Sequence, residues 1–97
     1  MRAANALTAW RIPESVIDRV GEAFAASPSV SHCYARSTHP DWPYGLYAMV
    51  HAQSRDELLG IVRGLAETAG AVVGAEVGHR LLETVRECKK SSVRYFG

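Results

Sequence analysis

The spacing of apolar residues changes along this chain from strand-like to helix-like and back, in an order that few small folds contain. Apolar residues recur at helical spacing over residues 13–26 and 54–69, and alternating or extended stretches lie before, between and after these two segments. The predicted strands cover residues 6–12, 30–37, 44–52 and 79–85. This order predicts an α+β fold, the ferredoxin-like βαββαβ sandwich, because that arrangement keeps both crossovers right-handed. Both helices then cover one face of an antiparallel sheet and leave the other face bare.

The second helix and the loop before it carry specific sequence signals. Ser54 and Glu57 form a capping box, in which each side chain accepts a hydrogen bond from a backbone N–H at the start of the helix. Gly70 is expected to end this helix. Two prolines within residues 39–43 exclude regular structure there, so this segment is predicted to be a loop that joins the two middle strands.

Length and composition limit the functional classes that this chain can belong to. Its 97 residues, 47% of them hydrophobic, fit one domain over residues 1–97. A net charge of +1 gives no overall field that would attract nucleic acid or a membrane surface. No stretch predicts a signal peptide or a membrane span, and a cytoplasmic location is expected. Cys33 and Cys88 are interpreted as small buried side chains, because neither belongs to a CxxC motif and no metal site is indicated.

The alternation of the two middle strands predicts which side chains share the bare face. In residues 44–52 the apolar residues 46, 48 and 50 suit packing beneath helices, which directs Tyr47, Met49 and His51 to the opposite face. In the preceding strand, the bare face is predicted to carry Val30, His32, Tyr34 and Arg36, while Ser31, Cys33 and Ala35 face the helices. Two interpretations remain open, ordinary aromatic cross-strand pairs or the wall of a site. The combination favours a site, because each polar group would otherwise need a partner in a core.

A cluster of basic residues follows the last predicted strand. It has two interpretations, a solvated tail or a patch that receives carboxylates or phosphates, and composition does not separate them. DNA binding is not expected, since the positive charge is confined to this end and no helix-turn-helix pattern occurs. The cluster consists of Arg86, Lys89, Lys90 and Arg94, with Glu87 among them.

Four motifs resemble the siroheme decarboxylases, a family related to the Lrp/AsnC transcriptional regulators. They are AWRIPE at residues 9–14, VSHCYAR at 30–36, DWPYGLYAMVH at 41–51 and RECKKSSVRYF at 86–96. The resemblance implies a ferredoxin-like, Lrp/AsnC effector-type domain that dimerises through its sheet. In this family a helix-turn-helix domain usually precedes that domain, and none is identified in this sequence. Gly45 stands where the family usually has Asn.

The resemblance also implies an activity. Siroheme decarboxylases remove carbon dioxide from two acetate side chains of siroheme and give 12,18-didecarboxysiroheme, on a route to haem or to haem d1. No cofactor is required, because the iron belongs to the substrate. The implied partners are the siroheme substrate and a second subunit, either an identical copy or a paralogue, and this chain is the active or the supporting member of the pair.

Decarboxylation of a pyrrole acetate needs general acids, and this requirement leads to a hypothesis about the site. Protonation of the ring carbon beside the acetate makes the pyrrole an electron sink, and histidine suits this proton transfer near neutral pH. His32 and His51 are the candidate acids, with Tyr34 as a third candidate catalytic residue. The flat macrocycle is expected to contact Trp42, Tyr44 and Tyr47, and its other carboxylates to contact Arg36, Lys89, Lys90 and Arg94.

Three alternatives stay open. One of the two imidazoles could ligate the siroheme iron instead of supplying a proton. The domain could sense a small effector, as the related Lrp/AsnC domains do, without any reaction. It could also bind a tetrapyrrole as a carrier that performs no chemistry.

Overall fold

The computed structural model describes residues 4–82 and the backbone of residues 93–96. These residues form a five-stranded antiparallel sheet with two helices on one face. The order of strands across the sheet is β4-β1-β3-β2-β5, so the first four strands have the predicted ferredoxin-like order. The elements are β1 (Ala4–Trp10), a 3-10 turn (Glu14–Val16), α1 (Ile17–Ala25), β2 (Val30–Arg36), β3 (Leu46–Ala52), α2 (Arg55–Val73), β4 (His79–Leu82) and β5 (Val93–Phe96).

The core lies between the helices and one face of the sheet. Trp10 of β1 packs edge-on against Phe24 of α1, with ring centroids 5.0 Å apart. Thr8 is buried beside them, and its hydroxyl donates to the carbonyl of Ala48 at 2.8 Å while it accepts from the indole N–H of Trp10 at 2.8 Å. The polar groups of this corner therefore satisfy one another, as burial requires. Cys33 is also buried, which confirms its interpretation as a small core side chain.

The capping box of α2 forms as predicted, but the predicted end of the helix is wrong. The Ser54 hydroxyl accepts from the Glu57 N–H at 3.1 Å, and the Glu57 carboxylate accepts from the N–H of the residue before Ser54 at 2.8 Å. Gly70 lies inside the helix, which continues to Val73. Gly74 ends it, because this residue takes a φ of +85°, a left-handed conformation that glycine adopts without strain.

A β-bulge at the start of β2 changes which side chains share a face. Val30 pairs with Val50, but the next residue of β2 to pair, His32, lies opposite Met49, so Ser31 is an extra residue in the strand. As a result Val30 packs against the core, and the hydroxyl of Ser31 lies on the helix-free face. Strict alternation had predicted the reverse for both residues, and both predictions are wrong.

The fifth strand is absent from the sequence prediction, in which the basic end was a tail or an anion-binding patch. Val93–Phe96 pairs with β2 and extends the sheet beyond the ferredoxin-like order. The side chains of this strand and residues 83–92 lie outside the described residues. None of the described helices is both long enough and apolar enough to cross a lipid bilayer.

Candidate active site

Three cross-strand rows form the helix-free face of the sheet. Because directly paired residues of antiparallel strands project to the same side, the register assigns each row. The first row contains the aromatic side chains, the second is mainly apolar, and the third is polar. The rows are Ala9, Tyr47 and Tyr34; then Leu7, Met49 and His32; then Asn5 and His51.

The loop between β2 and β3 folds over the first row. The backbones of His39 and Trp42 hydrogen-bond to each other in both directions, which closes a tight turn within the loop that the prolines predicted. The indole N–H of Trp42 then donates to the phenol oxygen of Tyr47. Tyr34 stacks on Tyr47, with ring centroids 5.3 Å apart and planes 10° apart. Tyr47 is consequently only 6% exposed, although its strand face carries no helix.

Two guanidinium groups lie against these aromatic rings. The Arg36 guanidinium is 6.0 Å from the centre of the Tyr47 ring. The Arg80 guanidinium lies 5.8 Å from the Trp42 ring and 5.9 Å from the Tyr44 ring, in the range of cation–π attraction. Sequence reasoning missed Arg80. Arg80 pairs with Ala9 of β1, which places it beside the first row. To find it from the sequence, one would need the register of β4, an edge strand of only four residues.

The third row contains a hydrogen-bonded histidine. His51 Nδ1 lies 2.8 Å from Asn5 Oδ1, and His51 Nε2 lies 2.6 Å from Ser31 Oγ. The three side chains come from β1, β2 and β3, and all three are exposed. Sequence reasoning identified His51 but neither of its partners, because the bulge that directs Ser31 to this face leaves no mark in the alternation.

His32 differs from His51 in its surroundings. It pairs with Met49 in the second row, is exposed, and makes no side-chain hydrogen bond to another described residue. Both candidate imidazoles thus lie on the helix-free face, on adjacent strands and in neighbouring rows. Only one of them, His51, is oriented by hydrogen bonds among the described residues.

The other predicted site residues fall into two groups. Tyr34, Arg36, Trp42 and Tyr44 are half-buried and belong to the aromatic end of the face. The side chains of Lys89, Lys90 and Arg94 lie outside the described residues, as does Cys88. Within residues 4–82, no three His, Cys, Asp or Glu side chains are grouped closely enough to hold a metal ion. Burial raises the pKa of the Cys33 thiol, on the helix side of the sheet, to about 12.

Comparison with known proteins identifies the class of domain. Residues 2–89 match the family of AsnC-like ligand-binding domains, so this chain belongs to that family. The resemblance to siroheme decarboxylases that the motifs indicated is confirmed by individual relatives. The siroheme decarboxylase beta subunit of Methanosarcina barkeri is 36% identical over 91 residues, which cover 94% of this chain and 57% of the relative. The siroheme decarboxylase of Hydrogenobacter thermophilus is 38% identical over 93 residues, which cover 96% of this chain and 26% of the relative.

A solved structure supports the same relationship. The siroheme decarboxylase NirDL superimposes with a TM-score of 0.72 at 33% sequence identity, and the match covers 99% of this chain and 29% of that protein. The ferredoxin-like fold predicted from the sequence is therefore confirmed. The chain spans 57% or less of the length of the relatives described above.

Proposed function

We propose that this chain is a siroheme decarboxylase subunit, a carbon–carbon lyase that removes carbon dioxide from two acetate side chains of siroheme in the cytoplasm. The names of its relatives support this activity. The observation that carries the proposal is the shared location of His32 and His51 on the helix-free face, next to an aromatic cluster flanked by two arginines. The proposed product is 12,18-didecarboxysiroheme.

The chemistry requires protons but no additional cofactor. A proton added to the ring carbon beside the acetate makes the pyrrole cationic, and the electron pair of the breaking C–C bond then neutralises it as carbon dioxide leaves. A second proton converts the exocyclic methylene into a methyl group, and the first proton is released from the ring. Each cycle therefore consumes one proton in total, and a positioned general acid accelerates the transfers by roughly 10²- to 10⁴-fold.

The second row offers a surface for the flat macrocycle. Leu7 and Met49 are half-buried and lie between the aromatic end and His51. His51 follows Tyr47 by four positions along β3, which corresponds to about 13 Å along the strand. A macrocycle over Met49 would have its opposite edges near these two ends, and contact with the Tyr47 ring itself would need the Trp42 loop to shift.

The charges suggest an orientation for the substrate. Arg36 and Arg80 would bind carboxylates at the aromatic end, with Lys89, Lys90 and Arg94 as further candidates. The reacting acetate would lie at the histidine end, because an ion pair with arginine would stabilise its ground state and raise the barrier. The roles of Tyr34 as a catalytic group and of Trp42 and Tyr44 as macrocycle contacts stay predictions.

The two histidines are proposed to have different roles. Both ring nitrogens of His51 have partners, so this imidazole is suited to proton transfer and would have to lose a hydrogen bond before it could ligate iron. His32 is the better candidate for an axial iron ligand or a second acid. A His32→Ala variant should change the Soret spectrum of bound siroheme if it is a ligand, whereas unchanged spectra with slower turnover would assign it as an acid.

Anaerobic incubation with siroheme, followed by mass analysis of the tetrapyrrole, tests the proposed function. The chain would be assayed alone, as a homodimer, and together with its presumed paralogous subunit. Two successive losses of carbon dioxide in either sample support the proposal. Unchanged siroheme in both samples would contradict it, and tight binding of siroheme in that case would identify the chain as a carrier.

A further inference from the structure

We propose that Asn5 and Ser31 are positioning residues for His51, and that the hydroxyl of Ser31 is the group through which the proton leaves this imidazole. The tautomer of His51 depends only on these three side chains. The delivery of the proton to a tetrapyrrole rests on the proposed function.

Hydrogen-bond capacity fixes the state of the ring. The Oδ1 atom of Asn5 can only accept, so the nitrogen 2.8 Å from it, His51 Nδ1, must donate. In neutral His51 the Nε2 atom then has no proton and accepts from the Ser31 hydroxyl, 2.6 Å away. In charged His51 both nitrogens donate, and Ser31 Oγ accepts. Asn5 therefore selects the Nδ1–H tautomer and keeps Nε2 as the atom that gains and loses the proton.

The β-bulge is what makes this arrangement possible. Without the extra residue in β2, Ser31 would project towards the helices, and His51 would have a partner on β1 only. The bulge brings its hydroxyl to the helix-free face, where β3 lies between β1 and β2. Bulges recur beside active sites because they redirect a side chain in this way.

The proposed step moves two protons in concert and delivers one of them to the substrate, with no other bond changed in the protein. Ser31 O–H gives its proton to the substrate carbon, and Ser31 Oγ takes the proton from His51 Nε2 as it does so. Serine ends as a neutral hydroxyl, and His51 ends as the neutral Nδ1–H tautomer that Asn5 stabilises. Both ring nitrogens of His51 already have partners, so a proton that moves from His51 to a ligand passes through the Ser31 hydroxyl.

Nitrogen NMR of the whole chain tests the positioning without any substrate. In spectra recorded at about pH 8.5, the neutral ring of His51 should show a single Nδ1–H tautomer. Its signals would be assigned by comparison with a His51→Gln variant. Asn5→Ala should give a mixture of tautomers, and Asn5→Asp, which keeps an acceptor, should preserve the single one. A mixture in the unmodified chain, or an unchanged tautomer in Asn5→Ala, would overturn the positioning role.

Turnover of siroheme tests the delivery. Ser31→Ala should lower kcat roughly 10- to 100-fold with little change in KM, and Ser31→Thr, which restores a hydroxyl, should recover most of it. Equal kcat for Ser31→Ala and the unmodified chain would overturn the delivery through Ser31. Absence of turnover in the unmodified chain, both alone and with its presumed paralogous subunit, would overturn the proposed function and this delivery together, and the NMR spectra would still decide whether Asn5 positions the ring.

Discussion

The indole N–H of Trp42 donates a hydrogen bond to the phenol oxygen of Tyr47, and this bond joins the β2–β3 loop to the helix-free face of the sheet. Tyr47 lies in the central strand, between Ala9 of β1 and Tyr34 of β2. The loop is thus attached where the aromatic cluster and the two arginines meet.

Loss of the Trp42–Tyr47 hydrogen bond should destabilise the fold moderately. Tyr47→Phe leaves the indole N–H without its acceptor, and we expect the free energy of unfolding to fall by about 1 kcal/mol, since the site is only partly buried. Urea unfolding followed by circular dichroism measures the change. In the Trp42→Phe background the same substitution should have a smaller effect, and strictly additive effects would contradict the coupling.

Position 45 should require glycine, because the side chain of Thr38 leaves too little room for a Cβ atom. A Cβ atom at this position would lie 2.9 Å from Thr38 Cγ2 and 3.3 Å from the carbonyl oxygen of Arg36. Gly45→Asn is expected to reduce the free energy of unfolding by about 1–3 kcal/mol. This substitution introduces the residue that the resemblance to siroheme decarboxylases implies for the position. Thr38→Ser removes the clashing methyl group and should restore part of the loss. Equal destabilisation with and without Thr38→Ser would show that this contact is not the cause.

The buried hydroxyl of Thr8 should matter for its hydrogen bonds more than for its shape. Thr8→Val keeps the volume but leaves the Trp10 indole N–H without an acceptor, and we expect a loss of about 1–3 kcal/mol in the free energy of unfolding. Thr8→Ser keeps the hydroxyl and is the matched control. If Thr8→Val were as stable as the unmodified chain, the proposed importance of this hydrogen-bonded corner would be wrong.

The buried thiol of Cys33 predicts a loss of stability at high pH. Burial raises its pKa from 9.0 to about 12, so below about pH 9 the thiol is protonated in both the folded and unfolded chains. Between these two values the unfolded thiol ionises while the folded one does not, and its contribution to the free energy of unfolding falls by about 1.4 kcal/mol per pH unit.

Alkylation kinetics check the same thiol directly. In a Cys88→Ser variant, Cys33 should react slowly with iodoacetamide in the folded chain and rapidly in urea, because the thiolate is the reactive form. Equal rates in the two conditions would contradict the burial of this side chain.

Alternation and helix caps predicted most of the fold because each reports a local preference. The faces of β3 followed from strict period two, and Ser54 with Glu57 fixed the start of α2. Features that depend on partners distant in the chain were not predictable. The bulge at Ser31 appears only in the pairing of β2 with β3, and β5 is four residues long in a basic segment whose pattern resembles a tail.

The candidate site divides in the same manner. His51 and Tyr47 were identified from residue type and strand position, and Trp42 from residue type alone. Asn5 and Arg80 were missed because each belongs to the site only through its neighbour across the sheet. Asn5 pairs with His51, and Arg80 pairs with Ala9. Such neighbours become known only when the register of three strands is fixed.

The most direct test of the central claim is the rate of carbon dioxide release from siroheme by the assembled protein with single histidine substitutions. His51→Ala should slow release by roughly 100-fold or more, because a positioned acid is lost. His39→Ala is the matched control and should retain the rate. His39 is an exposed histidine of the β2–β3 loop, and its contact with Trp42 is made by the backbone. Equal rates for His51→Ala and His39→Ala would contradict the account.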